Sequence, residues 1–175
     1  LAKSLHEGPK RRRGRAVCIG LGNTILSDDG IGIYVLRAIK KKARSTAIDF
    51  IEASAGGLDL LDYMTGYDFA VIIDAVRTGR HKPGTVLKIP AQDLPGGSSL
   101  TRHQVSLAEA LALAGTIGMP VPENILIYGI EVEDIETFSE TCSPALVKRL
   151  PHIVREIVPD IIPQFEKIAK NQEKG

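Results

Sequence analysis

Residues 15–39 read RAVCIGLGNTILSDDGIGIYVLRAI. The first part, 15–20, is a short apolar run closed by glycine, the pattern of a strand buried on both faces. Over 29–43, apolar residues recur at Ile31, Val35 and Ile39. That spacing puts them on one face of a helix, which then ends in a basic run. A buried strand that turns directly into a helix opens an α/β fold.

Outward from this stretch the alternation continues. Residues 48–51 form a second strand ending at Glu52, and Leu58, Leu61 and Met64 suggest a short helix. Residues 69–73 form a third strand that stops at Asp74. A turn-rich segment, 77–84, leads into a fourth strand over 85–89. After a Pro/Gly/Ser loop over 90–102, a helix is expected from about 103 to 115 and a fifth strand over 125–130. Residues 143–170 have a helical pattern, expected to be broken at Pro151, Pro159 and Pro163 because proline removes a backbone donor. The alternation predicts a three-layer α/β fold, a five-stranded and mostly parallel twisted sheet with helices on both faces. Strand four follows strand three through a turn alone, which makes it antiparallel and places it at the edge.

The chain has 175 residues, enough for one α/β domain, expected over 15–171 behind a flexible basic leader, 1–14. With 43% hydrophobic and 25% charged residues the composition is that of a globular protein. A net charge of +1 gives no footprint for nucleic acid. The apolar run at 16–19 is too short for a signal-peptide core, and no stretch approaches the ~18 residues of a membrane span. Cys18 and Cys142 are far apart and form no CxxC pair, which points to a reducing cytoplasm. A monomer is expected.

In open α/β sheets, sites form beyond the carboxyl ends of the strands. Those ends select Asp28 and Asp29 after strand one, Glu52 after strand two and Asp74 after strand three, with His103 at the head of a helix. Asp74 follows four apolar residues. An unpaired carboxylate there is costly, so it either accepts backbone donors or holds a metal. His103 shares the stripe of Leu107, Leu111 and Ala114 and points inward. A helix N-terminus favours the neutral imidazole that binds metals, although a satisfied core-edge histidine fits the same pattern. Ser27 or Asp28 is expected to cap the first helix, leaving Asp29 for other work. Glu52 reads equally as a solvent-facing acid or a functional one.

A dinucleotide fingerprint fails, because GxGxxG requires glycine where Ile25 stands and because two acids occupy the pyrophosphate position. The chain also lacks GxSxG, HExxH and a second histidine near a plausible cysteine nucleophile. Cys18 lies mid-strand and reads as core.

The run GLGNTILSDDGIG at 20–32 closely resembles the opening motif of the [NiFe]-hydrogenase maturation protease family. The resemblance continues through VIIDA at 71–75, the Pro83-Gly84-Thr85 turn, Thr101-Arg102-His103-Gln104 and Gly129-Ile130-Glu131, over roughly residues 15–158. It implies a strand order of 2-1-3-5-4 and a nickel-engaging trio on Asp29, Asp74 and His103, with Glu52 lining the same cleft. In the loop after Glu52 the family's Gly-Gly-Thr is not reproduced; Ala53-Ser54-Ala55-Gly56-Gly57 stands there. Two carboxylates and an imidazole suit nickel, zinc or manganese, so the donor set alone does not choose. The resemblance further implies an endopeptidase that removes the C-terminal extension of the nickel-loaded large-subunit precursor. The nickel would be carried by that substrate, with no organic cofactor. A non-catalytic nickel-binding assembly factor on the same fold, or a nucleotide-binding α/β protein, are the alternatives.

Overall fold

The computed structural model describes residues 15–43, 48–54, 56–90, 93 and 107–172. The leader expected over 1–14 and His103 lie outside the described residues. Five strands, β1 (Ala16–Leu21), β2 (Ile48–Ala53), β3 (Phe69–Val76), β4 (Val86–Ile89) and β5 (Asn124–Glu131), form one sheet in the order β2-β1-β3-β5-β4. The β1–β2, β1–β3 and β3–β5 pairs are parallel, and β4 runs antiparallel to β5 at the edge. The predicted order and the antiparallel fourth strand are both observed.

Two apolar layers cover the sheet. Helix α1 (Ile31–Lys40) and helix α4 (Pro144–Gln172) pack on the face bearing Ala16, Cys18, Val71 and Ile73. Helix α2 (Asp59–Met64) and helix α3 (Leu107–Thr116) pack on the opposite face with Val17, Ile19, Ala70 and Ile72. All of β1 and β3 is buried, as their unbroken apolar runs require of central parallel strands.

Two expectations need correction. Residues 144–172 are one helix that runs through Pro151, Pro159 and Pro163. All three prolines are exposed, as are Val147, Arg155 and Pro159, whose carbonyls lose their intrahelical donors and are left to water. The opposite stripe, Ile153, Val154, Ile157, Ile161 and Phe165, is buried, and Phe165 meets Phe69 edge-on at 6.0 Å between ring centroids. Tertiary packing holds a helix that propensity alone would break. The second correction concerns β3, which does not stop at Asp74. It runs to Val76, and Asp74 is a residue of the strand, paired opposite Gly129 of β5.

Candidate active site

β1 pairs with β3 only as far as Gly20 opposite Ile73, so the last residues of β3 project beyond the paired end of β1. The motif turn fills the space beyond β1. Gly22 has φ +135°, and a Cβ there would lie 1.9 Å from the Asp29 carbonyl oxygen. Gly32 is wedged still deeper, since a Cβ on it would meet the carbonyl oxygens of Leu21 and Ile73, each at 2.4 Å. Only glycine allows the start of α1 to sit on the ends of β1 and β3. The 3-10 turn Ser27–Gly30 thereby lies against β3, at the crevice where the chain leaves β1 toward one side of the sheet and β3 continues on the other.

This arrangement brings Asp29 and Asp74 to the same end of the sheet. Asp29 is 2% exposed, and its Oδ2 accepts a hydrogen bond from the Asn23 N–H at 2.8 Å. Asp74 is fully buried, and its Oδ1 accepts the Ala75 N–H at 2.9 Å. By strand alternation Asp74 shares the face of Ile72 and Val76, the α2/α3 side. On that face β5 offers no side chain beside it, because its partner there is Gly129. Helix α3 packs in the same layer through Leu107, Ala110 and Ala114. Its far end approaches the base of the sheet, where the Gly66 N–H donates to the Pro120 carbonyl. Leu107, four positions after His103, is therefore directed toward the end that carries Asp29 and Asp74.

The other acids have different surroundings. Glu52 lies on β2, on the far side of β1, and reaches to α1. Arg37 donates to it through Nε at 2.8 Å and Nη2 at 2.7 Å. That exposed bidentate bond holds the Glu52 carboxyl below its ordinary range. The structure thus places Glu52 in a surface ion pair on the α1 side, away from Asp74. Asp28 does not cap the first helix, which has no side-chain cap. Fully buried, its carboxylate instead accepts the Ser143 N–H at 2.6 Å and the Asp134 N–H at 3.4 Å. Together with the Ser27 N–H to Ser139 carbonyl bond and the Ser139 N–H to Ile25 carbonyl bond, it clasps residues 134–143 onto the motif turn.

Glu131 is the acid that sequence reading left without a role. It is 1% exposed, at the carboxyl end of β5. Its Oε1 accepts the Thr78 and Gly79 N–H groups at 2.8 and 2.9 Å, and its Oε2 accepts the Thr78 hydroxyl. The strand-end rule that selected Glu52 and Asp74 would have selected Glu131 too.

Burial disfavours the thiolate form of both cysteines. Burial raises the pKa of Cys18 far above the ordinary range. Cys142 is pushed up to about 12, first by burial and then by the nearby Asp28 carboxylate. A protonated thiol is a poor nucleophile. Among the described residues no three His, Cys, Asp or Glu side chains are grouped to hold a metal ion. Two carboxylates such as those of Asp29 and Asp74 are hard oxygen donors, to which an imidazole would add a borderline one.

Known proteins resemble this chain in sequence and in fold. A family model described as hydrogenase maturation protease matches residues 33–160. The hydrogenase expression/formation protein HupD of Thiocapsa roseopersicina is 26% identical over 159 residues, covering 89% of this chain and 71% of that protein. The hydrogenase 2 maturation protease of Escherichia coli K12 is 25% identical over 125 residues, 70% of this chain and 76% of that one. The solved structure of the E. coli hydrogenase-maturating endopeptidase HybD superposes with a TM-score of 0.68 at 21% identity, over 86% of this chain and 93% of HybD. The maturation protease HycI of Thermococcus kodakarensis gives 0.63 at 18% identity, over 86% and 94%. At such identities these two structures speak for the fold.

Proposed function

From the premise that this chain belongs to the hydrogenase maturation protease family, we propose that it removes the C-terminal extension of a nickel-loaded [NiFe]-hydrogenase large-subunit precursor. The observation that supports this reading is that two buried carboxylates, Asp29 and Asp74, lie at the same end of the sheet, beyond the paired end of β1.

In this reading the nickel arrives as part of the substrate. Asp29, Asp74 and His103 hold it at the crevice, and the positions they do not fill stay with the precursor's own ligands. Holding the ion fixes the precursor's C-terminal segment against the protein, so the scissile bond is presented only by a loaded precursor. No conventional peptidase set stands in the sequence, and both thiols are held protonated, which supports a reaction completed by the substrate's own centre. Beside the cleft, Phe138 is 82% exposed and Ile25 48% exposed, an apolar rim suited to contact with a folded protein partner.

We place the reaction in the cytoplasm, with the protein acting as a monomer. The two free, buried thiols support a reducing compartment. No helix among the described residues is long and apolar enough to cross a membrane.

The test is incubation with nickel-loaded precursor and mass analysis of the product. The expected result is one discrete loss from the precursor's C-terminus with the wild-type chain and none with Asp74→Asn or Asp29→Asn. Equal processing by Asp74→Asn would contradict the assignment.

A further inference from the structure

The segment between β3 and β4 is held more firmly than a solvated turn requires. The Glu131 carboxylate binds Thr78 and Gly79 from beneath. The Arg80 N–H donates to the Thr78 hydroxyl at 3.1 Å. At the other end the Thr85 N–H and hydroxyl both donate to the Lys82 carbonyl, closing a turn in which Gly84 has φ +83°. The Glu131 backbone takes up this end as well, since the Gly84 N–H donates to its carbonyl and its own N–H donates to the Thr85 carbonyl. The Arg149 side chain packs against Gly84. A buried carboxylate committed to one surface loop is an expensive fixture unless the loop's shape matters.

This fixed loop carries charge of a single sign. Residues 77–85 read RTGRHKPGT and contain no acid. Arg77 is tied to Glu136 at 3.2 Å, whereas Arg80, His81 and Lys82 are all exposed. The loop starts three residues after Asp74, at the same end of the sheet. A ligand in the crevice would lie at the end of the sheet from which this loop projects.

Resting on the processing reading above, we propose that residues 77–82 form an electropositive rim that recognises a carboxylate-bearing segment of the polypeptide substrate. Because the Glu131 brace fixes the loop beforehand, contact with an anion costs little ordering of the backbone. Arg80 and Lys82 supply the attraction, and Glu131 is a positioning residue that acts through Thr78 and Gly79. A net charge of only +1 does not give the chain the basic excess that an extended polyanion calls for, which favours a peptide carboxylate as the ligand of the rim. The carboxylate could come from acidic side chains or from the chain terminus of the precursor's extension.

The experiment measures binding of nickel-loaded precursor to the full chain at low and high salt, with mass analysis of processing in parallel. The double variant Arg80→Glu/Lys82→Glu should bind about tenfold more weakly at low salt and lose most of the wild type's salt sensitivity, as rim charges do. Both positions are exposed, so its urea midpoint should match wild type. Two altered precursors separate the sources: one has its C-terminal acidic side chains converted to amides, the other its terminal carboxyl amidated. The one that binds wild type more weakly identifies the carboxylate. Unchanged affinity in the double variant, or unchanged wild-type affinity for both altered precursors, would overturn the proposal. A wild-type chain that binds the precursor but does not shorten it would sink the processing reading while still testing the rim. A wild-type chain that does not bind the precursor would overturn both.

Discussion

The Asp28 carboxylate accepts the N–H of Ser143 at 2.6 Å, joining the motif turn to the residue that precedes α4, 115 positions along the chain. Ser143 stands at the positive end of a long helix, and Asp28 is fully buried, so this is a charge-assisted bond away from water. Asp28→Ala should therefore destabilise the protein by about 2–4 kcal/mol, more than loss of a helix cap, because two backbone donors are left unmet. Urea unfolding checks this. Asp28→Asn keeps an acceptor and should lose clearly less. Equal loss in both variants would mean that the carboxylate's charge, and not the retained acceptor oxygen, carries the stabilisation.

Glu131 provides a second contrast of the same kind. Glu131→Ala should expose the Thr78 and Gly79 amides to rapid hydrogen exchange, while Glu131→Gln should keep most of their protection, since the remaining amide oxygen still accepts both N–H groups. Amide exchange followed residue by residue reads this directly. Unchanged protection in Glu131→Ala would remove the brace from the account.

The sheet was legible in the sequence because its signals are local. Unbroken apolar runs gave the central strands, the turn-only link after β3 gave the antiparallel β4, and the strand-end acids pointed to one end of the sheet. What stayed hidden depends on tertiary partners. Nothing near Asp28 names the Ser143 and Asp134 N–H groups as its donors, so helix capping was the natural local reading. Nothing near Glu52 announces that Arg37 on the neighbouring helix takes both its oxygens. The prolines of α4 look like breaks until a buried stripe on the opposite side outweighs their missing donors. Asp74 looked like a rim residue because a charge after an apolar run usually ends a strand. In the structure β3 continues, because β5 extends alongside it through Val76 opposite Glu131.

The thiols give a prediction in pH. Cys142 is held protonated up to about 12 in the folded chain, whereas an unfolded thiol ionises near ~8.5. The stabilisation is thus complete below about 8.5 and is lost as pH rises through about 12. Tyr128, raised by burial and by its bond with Asp160, adds a loss in the same direction above about pH 10. The urea midpoint should fall across pH 9–11, and Cys142→Ala should flatten part of that slope. The same variant should still process precursor, since the buried thiol has no part in the reaction. Loss of processing in a folded Cys142→Ala chain would reopen a cysteine mechanism.

The crevice acids call for isosteric variants. Asp74 is enclosed within β3, so alanine would confound chemistry with a cavity, while Asp74→Asn keeps the volume and an oxygen for the Ala75 N–H. Asp74→Asn should unfold within about 1–2 kcal/mol of wild type yet lose processing by more than about 100-fold, beyond the loss typical of a residue that only supports a metal ligand. His103→Ala should behave likewise in processing. Full activity in either folded variant would remove that residue from the site.

The most direct measurement compares cleavage of nickel-loaded and nickel-free precursor by the same wild-type protein, read as intact masses over time. Gating by the substrate's nickel, held at the crevice of Asp29 and Asp74, predicts that only the loaded precursor loses its C-terminal extension and that the nickel-free form keeps its full mass. Cleavage of both forms at the same rate would contradict the account.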